Sequence, residues 1–382
     1  MKVKILLPLL LVGFTCASCS HGKQYALEDY RTTMQFHDNF RVMQLTDLHF
    51  GVQGDLKRNL DFVSKLIDDA KPDLIVITGD SFMYGTKGIV KNYIEFLNNK
   101  CKEHTAAHPD KLTKFAITFG NHDNQGDYSY YFINTVVQQY ATEDGKEIEE
   151  HKYAAFIDYK DDNLTGYTNY FIDLVDDRTK SKETVDVKYR LHILDSNSYR
   201  YVGPKYRYEV IKQDQLDHMK NIYNNATTDK DYIGMAFFHI PFIQFEQVKD
   251  LYKETGIPSE AGQGEFREGV GDPGYDNGAF TSMRESNILA YFVGHDHINY
   301  CDIIYNHDDS NVANKAILSY GVKSTDKIYH DDDILGYKLI NLKDNMTVEK
   351  FLSIDNVKEN FINVIDRGYY YEDKIIFLFK KY

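Results

Sequence analysis

Six apolar runs of strand character each break off into residues that bind metals or move protons. That recurrence confines the chain to folds in which several strands deliver side chains to one sheet edge. The runs are VMQLTDLH with Asp47 and His49, LIVITGD with Asp80, FAITFGNHD with Asn121, His122 and Asp123, LHILDS with Asp195 and Ser196, MAFFHIP with His239, and LAYFVGHDH with His295 and His297. A side chain at a strand end is held by a rigid scaffold, so residues remote in sequence can meet in one cluster. Carboxylate and amide oxygens together with imidazoles describe a site for two hard or borderline metal ions. Metal-assisted hydrolysis is the chemistry such a site serves.

Between these runs lie helical patterns. Leu56, Leu60, Val63, Leu66 and Ile67 follow the 3.6-residue period up to Pro72, and Ile89, Tyr93, Phe96 and Leu97 repeat it before Cys101. Alternating strand and helix favours an α/β layered fold. The motifs run from residue 42 to residue 297, so one catalytic domain takes most of the chain. The organisation expected is a leader at 1–18, a linker at 19–38, the domain at 39–342 with an insertion at about 124–190, and an extension at 343–382 packed on the domain. The insertion is expected to carry a helix near Tyr130 to Tyr140 and a hairpin, GYTNYFIDLV then VDVKYRLHILDS. GIPSEAGQGEFREGVGDPGYDNGAF reads as a loop over the site, and Tyr275 and Asn277 within it as substrate contacts. The extension reads as a helix over Val357 to Ile365 followed by a strand, IIFLF.

In Asp47-x-His49 the two residues fall on the same side of an extended segment and can bind one ion together; His295 and His297 repeat that spacing after Gly294, which lets the backbone turn tightly. The two oxygens of Asp80 suit it to bridge two ions about 3.5–4 Å apart; a helix N-cap is the competing role. Asn121 offers a neutral carbonyl oxygen, leaving His122 beside it free to act as an acid. A lone His239 before Pro241 would more often be a hydrogen-bonded structural residue, but in company with the other motifs it reads as a ligand.

The opening MKVKILLPLLLVGFTCASC has Lys2 and Lys4, a short apolar core and then small residues. That reads as a secretory signal rather than a spanning helix, the apolar run being too short to cross a membrane. Cys16-Ala17-Ser18-Cys19 is similar to a bacterial lipoprotein cleavage site, which makes Cys19 a lipidation site and the cell envelope the expected location, with plain secretion as the alternative. A formal charge of −14 makes the chain a poor general binder of nucleic acid. Beyond Cys16 and Cys19 only Cys101 and Cys301 remain, too few for a disulfide framework, with one bridge between them left open. The 31 tyrosines and 23 phenylalanines read as core filling, nine histidines outside the motifs as surface or packing groups, and Lys205, Arg207 and Tyr208 as a solvated loop, with steering of a substrate phosphate as the alternative.

DLH, GD, GNHD, H and GHDH, in this order and spacing, resemble the calcineurin-like metallophosphoesterase superfamily. QLTDLHFG, PDLIVITGD, FFHIP, the GQGEFREGV segment and GHDHIN resemble the branch that holds plant purple-acid-phosphatase-29-like proteins and fungal Dcr2-type phosphatases. The resemblance implies a four-layer α/β/β/α sandwich of the metallo-dependent phosphatase type. It also implies two divalent ions, Mn, Fe, Zn or Co, the first held by Asp47, His49, Asp80 and His297 and the second by Asp80, Asn121, His239 and His295. His122, oriented by Asp123, would protonate the leaving group while a metal-bound hydroxide attacks phosphorus. True purple enzymes place a Tyr ligand three residues after the bridging Asp. Here that position is Met83 and Tyr84 comes one residue late, so no purple charge-transfer band is expected.

The expected activity is hydrolysis of phosphate monoesters on a phosphorylated small molecule. The alternatives are a phosphodiesterase or nucleotide hydrolase on the same site, and a non-catalytic binding protein.

Overall fold

The computed structural model describes residues 30–52, 55–109, 111–141, 152–157, 164–177, 186–225 and 231–366. The leader, Cys19 and the IIFLF segment lie outside them.

In chain order the elements begin with β1 (Arg31–Gln35), β2 (Phe40–Leu45), α1 (Leu56–Ala70), β3 (Leu74–Thr78), α2 (Lys87–Ala107), β4 (Lys114–Thr118) and α3 (Tyr130–Gln138). There follow β5 (Asn169–Val175), β6 (Val187–Leu194), β7 (Tyr199–Val202), β8 (Lys205–Tyr208), α4 (Gln213–Asn225), β9 (Ile233–Phe237), α5 (Ile243–Tyr252), β10 (Gly262–Glu265) and α6 (Ala279–Glu285). The last are β11 (Ile288–Val293), β12 (Tyr300–Tyr305), β13 (Ala316–Tyr320), β14 (Gly336–Leu342), α7 (Val348–Phe351), α8 (Ile354–Asn360) and β15 (Phe361–Ile365). Helix starts follow local chemistry: Asp55, Thr86 and Ser129 accept from backbone N–H groups of Arg58, Ile89 and Phe132 at the heads of α1, α2 and α3.

Eight strands form one sheet in the order β1-β5-β6-β9-β11-β13-β12-β10, and five form another, β15-β14-β2-β3-β4. Alternation along the strands sets the layers. Met235 and Phe237 of β9, with Ala290 and Phe292 of β11, join one core with β2, β3 and β4. Their neighbours Ala236, Tyr291 and Val293 pack instead with Leu216 and Met219 of α4, Phe245 of α5 and Met283 of α6. Phe62, Val63, Leu66 and Ile67 of α1 and Ile94 and Leu97 of α2 belong to the core of the smaller sheet. The expected helix, sheet, sheet, helix sandwich follows. Burying each such side chain contributes roughly 1.5–3 kcal/mol.

All six motif strands are present. β2, β3 and β4 run parallel, as do β6, β9 and β11, so the motif residues emerge at carboxyl ends. In open α/β sheets that edge is where ligands bind.

Four boundaries differ from expectation. Arg31–Gln35, expected in the linker, is strand β1, pairing parallel with β5. The region expected as an insertion contains β5 and the start of β6, an antiparallel pair inside the large sheet; buried Asp173 draws them together by accepting from Arg190 Nε at 2.7 Å. The Gly-rich segment contributes β10, whose backbone groups are satisfied against β12. The helix expected over Val357 to Ile365 stops at Asn360, because Phe361 turns into the core and its successors pair with β14.

Candidate metal centre

Strand ends converge as the motifs require. Three groups of ligand atoms, each within 4.8 Å of one another, are formed by Asp47, His49 and His297, by His49, Asp80 and His122, and by Asp80, His239 and His295. Asp80 is no helix N-cap, since α2 starts at Lys87 with Thr86 as its cap; its carboxylate is buried between the two sides of the cluster. Its Oδ2 lies 3.1 Å from His239 Nε2 and 3.4 Å from His49 Nε2, and His297 Nε2 lies 3.4 Å from Asp47 Oδ1.

The route to this convergence is not the strand alternation expected for Asp47 and His49. Both residues follow the end of β2 and adopt positive φ, 57° and 51°, as do Asp80 at 51° and His295 at 79°. Left-handed backbone costs roughly 1–2 kcal/mol at a non-glycine residue, and such strain persists only where the surroundings fix it. Here Asp47 N donates to Gly79 O and His49 N to Asp80 O. Gly79, at φ 88°, brings β3 so close that a Cβ would stand 2.7 Å from the His239 ring. Gly294 serves close approach rather than a turn: a Cβ there would collide with Thr46 Oγ1, where the two sheets meet.

Among the buried polar atoms that lack a hydrogen-bond partner in the described residues are Asp47 Oδ1, His49 Nε2, Asp80 Oδ2, Asn121 Oδ1 and His239 Nε2, although Asp80 Oδ2 and His239 Nε2 face each other at 3.1 Å. Leaving such groups unsatisfied costs about 1–3 kcal/mol each, and all five are metal-ligand atoms. The donor set, carboxylate and amide oxygens with imidazole nitrogens, therefore fits two divalent ions. The other ends of the ligands are already held. His239 Nδ1 lies 2.8 Å from Thr78 O and His297 Nδ1 lies 2.9 Å from Tyr329 O, contacts that fix Nε2 as the free donor. Asn121 Nδ2 donates to Tyr199 Oη at 2.7 Å, which aims its Oδ1 inward.

The electrostatics suit ligation directly at His49 and His295, whereas at His239 an ion would have to displace a proton shared with Asp80. Burial, with the nearby Lys323 charge, pulls His49 down to about 4, and burial, with the His239 charge, pulls His295 down to about 3, so both are neutral at pH 7. Burial also opposes charge on His239 and Asp47, but Asp80 lifts His239 to about 10, and His297, His239 and Lys323 hold Asp47 well below the usual carboxylate range. Lys323 is buried, donates to Asp47 O at 2.7 Å, and is pushed down to about 8 by that burial.

Other expected site residues fare differently. His122 is partly exposed beside the cluster, Nε2 4.0 Å from Asp80 Oδ2. Asp123 does not orient it: its carboxylate accepts from the N–H groups of Asp80, Phe82 and Gly120, at 2.7–2.9 Å, and braces the Asp80 turn. Gln125 Oε1 takes that place, 2.7 Å from His122 Nδ1. Asn277 Nδ2 is spent on Ile211 O at 2.8 Å, closing the loop rather than facing a substrate. Tyr275 is exposed and carries the Arg200 guanidinium 4.4 Å from its ring centroid.

Asp195 accepts from the N–H of Tyr167 and Asn197, and Ser196 from that of Ile240, so both are structural. Tyr84 is exposed. Cys101 and Cys301 are buried and unbridged. Tyr199, Gln125 and Lys323 were not foreseen, because tyrosine, glutamine and lysine outside a motif carry no signal of their own.

Known proteins resemble this chain in sequence and, more weakly, in structure. The chain is 28% identical over 305 residues to phosphatase DCR2 of Saccharomyces cerevisiae, covering 74% of this chain and 47% of that protein, so it spans about half the yeast protein's length. It is 27% identical over 301 residues to probable inactive purple acid phosphatase 29 of Arabidopsis thaliana, covering 70% of each. A dimetal phosphatase from Danio rerio aligns in structure with 81% of this chain and 94% of its own, at 11% identity and a TM-score of 0.41. The family model for calcineurin-like phosphoesterases matches residues 40–299, from the first residue of β2 to just past His297. That span takes in every convergent strand end described above, and the chain belongs to the calcineurin-like phosphoesterase family.

Proposed function

We propose that this metal-dependent phosphoesterase hydrolyses phosphate monoesters. One observation carries the reading: the buried Asp80 carboxylate is common to two ligand groups, with the partly exposed His122 imidazole beside it. Asp47, His49, Asp80 and His297 would hold the first ion, and Asp80, Asn121, His239 and His295 the second. When bound, two divalent ions supply a water activated at neutral pH and charge to neutralise phosphoryl oxygens; the mixed donor set suits Mn, Fe, Zn or Co.

The chain's own groups do the rest. Gln125 accepts the Nδ1 proton of His122, leaving Nε2 to carry a proton to the departing ester oxygen. Asp123 keeps the Asp80 and Gly120 turns in place. Tyr199 prevents the Asn121 amide from rotating.

The test is the leaving-group dependence of His122→Ala. An alkyl phosphate needs its departing oxygen protonated and should lose about 10²–10⁴ in kcat, whereas p-nitrophenyl phosphate, which departs as a weak base, should lose far less. Equal losses on both would remove His122 as the proton donor, and faster turnover of bis(p-nitrophenyl) phosphate than of the monoester would make the enzyme a phosphodiesterase. We further propose a lipid anchor at Cys19, supported by the CASC sequence after a basic and apolar leader. Labelled palmitate should enter the wild type and not Cys19→Ser.

A further inference from the structure

Beside the metal centre stands a hairpin that belongs to neither large sheet: among the described residues β7 and β8 pair only with each other. An isolated two-stranded hairpin is marginal in water, so its anchors matter. They include the centre itself, alongside Arg200, whose Nη2 donates to Pro273 O at 2.8 Å. Tyr199 bonds Asn121, and the Tyr208 ring packs edge-on against His295 at 4.2 Å between centroids.

The register makes the hairpin two-faced. Tyr199 lies opposite Tyr208 and Tyr201 opposite Tyr206, so all four tyrosines share one face, while Arg200 opposite Arg207 and Val202 opposite Lys205 occupy the other. On the tyrosine face the inner pair touches ligand residues. The outer pair is open to solvent, Tyr201 being 69% and Tyr206 55% exposed. The rings form a continuous ladder, with Tyr206 5.4 Å from Tyr199 and 4.3 Å from Tyr201, and the Tyr201 and Tyr206 hydroxyls are bonded at 2.6 Å. The His122 ring lies 6.4 Å from Tyr199. Since His122 protonates the departing oxygen, the group that departs does so on the ladder's side.

From this we infer that the tyrosine ladder is the leaving-group subsite, and that Tyr201 and Tyr206 select phosphoesters whose organic part carries a planar ring set off from phosphorus by a spacer. The inference rests on the phosphoesterase reading of the centre. Two residues of strand advance roughly 7 Å, so the outer pair stands about that much farther along the hairpin from the Asn121 and His295 side chains than the inner pair. A ring bonded directly to the ester oxygen stops at the inner pair; a ring carried on a sugar reaches the outer one. Aromatic faces accept any such ring without demanding a particular hydrogen-bond pattern.

The experiment compares the full chain with Tyr201→Ala/Tyr206→Ala, both loaded with Mn, on adenosine 5′-monophosphate and on glycerol 2-phosphate, which carries the same phosphate and no ring. Neither substituted residue contacts a ligand side chain. The double variant should raise KM for the nucleotide about tenfold and leave glycerol 2-phosphate unchanged, and Tyr201→Phe/Tyr206→Phe should retain most of the nucleotide preference. Saturation-transfer NMR of adenosine on metal-free protein supplies a readout independent of turnover: its ring protons should be saturated by the wild type and not by the alanine variant. Equal effects on both phosphates, no effect on the nucleotide, or an adenosine signal indifferent to the substitutions would overturn the inference. If the wild type hydrolyses neither phosphate, the reading of the centre fails, and the adenosine signal judges the ladder by itself.

Discussion

Asn121 shows how much of a ligand's behaviour is decided by a residue that sequence cannot pair with it. Its carbonyl role was legible in GNHD, but the Tyr199 hydroxyl that aims it arrives from a hairpin 78 residues later. Tyr199→Phe deletes that bond without touching an ion, and losing a partner of this kind costs about 10–100-fold in metal affinity. Titration of stripped protein should therefore show one weakened and one unchanged site; two unchanged sites would mean that Asn121 is held by something else. A second residue, His192, shows the same gap between sequence and environment. Expected as a packing or surface group, it is buried in β6, and burial, with the Arg190 and His218 charges, pulls it down to about 3. Its folded pKa lies below the ordinary value near 6.5, so on acidification the unfolded chain takes up the proton first. Its effect on stability is nil above pH 7, begins as pH falls through 6.5, and reaches roughly 2 kcal/mol by pH 5. Urea unfolding at pH 7 and pH 5 should show that extra loss in the wild type and not in His192→Gln; identical losses would assign acid sensitivity to other groups.

At the scale of elements, the six apolar runs were legible because each is a buried strand ended abruptly by polar residues, and the two helices because their apolar period meets a cap or Pro72. β1 was not legible. RTTMQ has little apolar content, and what makes it a strand is pairing with β5 and an Arg31 guanidinium 3.6 Å from the Asp173 carboxylate. That carboxylate also receives Nε and Nη2 of Arg190, and all three residues are buried. Removing one member of a buried charge group strands the others, at a cost of about 3–5 kcal/mol. Asp173→Ala should lower the urea midpoint accordingly; a loss below 1 kcal/mol would mean that the two arginines find solvent. The same reasoning explains why the hairpin from Asn169 onward was legible while its place inside the larger sheet was not. Its charges and tyrosines point into the protein, toward partners that the local sequence does not contain.

For the whole molecule, the layer order follows from alternation: Met235 and Phe237 face one core and Ala236 the other. The order of strands across the two sheets was not readable, because it depends on which edges pair, as β10 does with β12 in the larger sheet and β15 with β14 in the smaller. What unites the two sheets functionally is the seam where Gly294 meets Thr46 and Gly79 meets His239, bringing Asp80 between residues of both sheets. The central claim is that this seam binds two ions and that they are needed for ester hydrolysis. The most direct measurement is titration of metal-stripped protein with Mn, following bound metal per chain and p-nitrophenyl phosphate release together, in the wild type and in Asp80→Asn. Two ions per chain are predicted in the wild type, with release appearing as the second binds, and both are lost in the variant. Full release from stripped protein, or no bound metal in the wild type, would contradict the account.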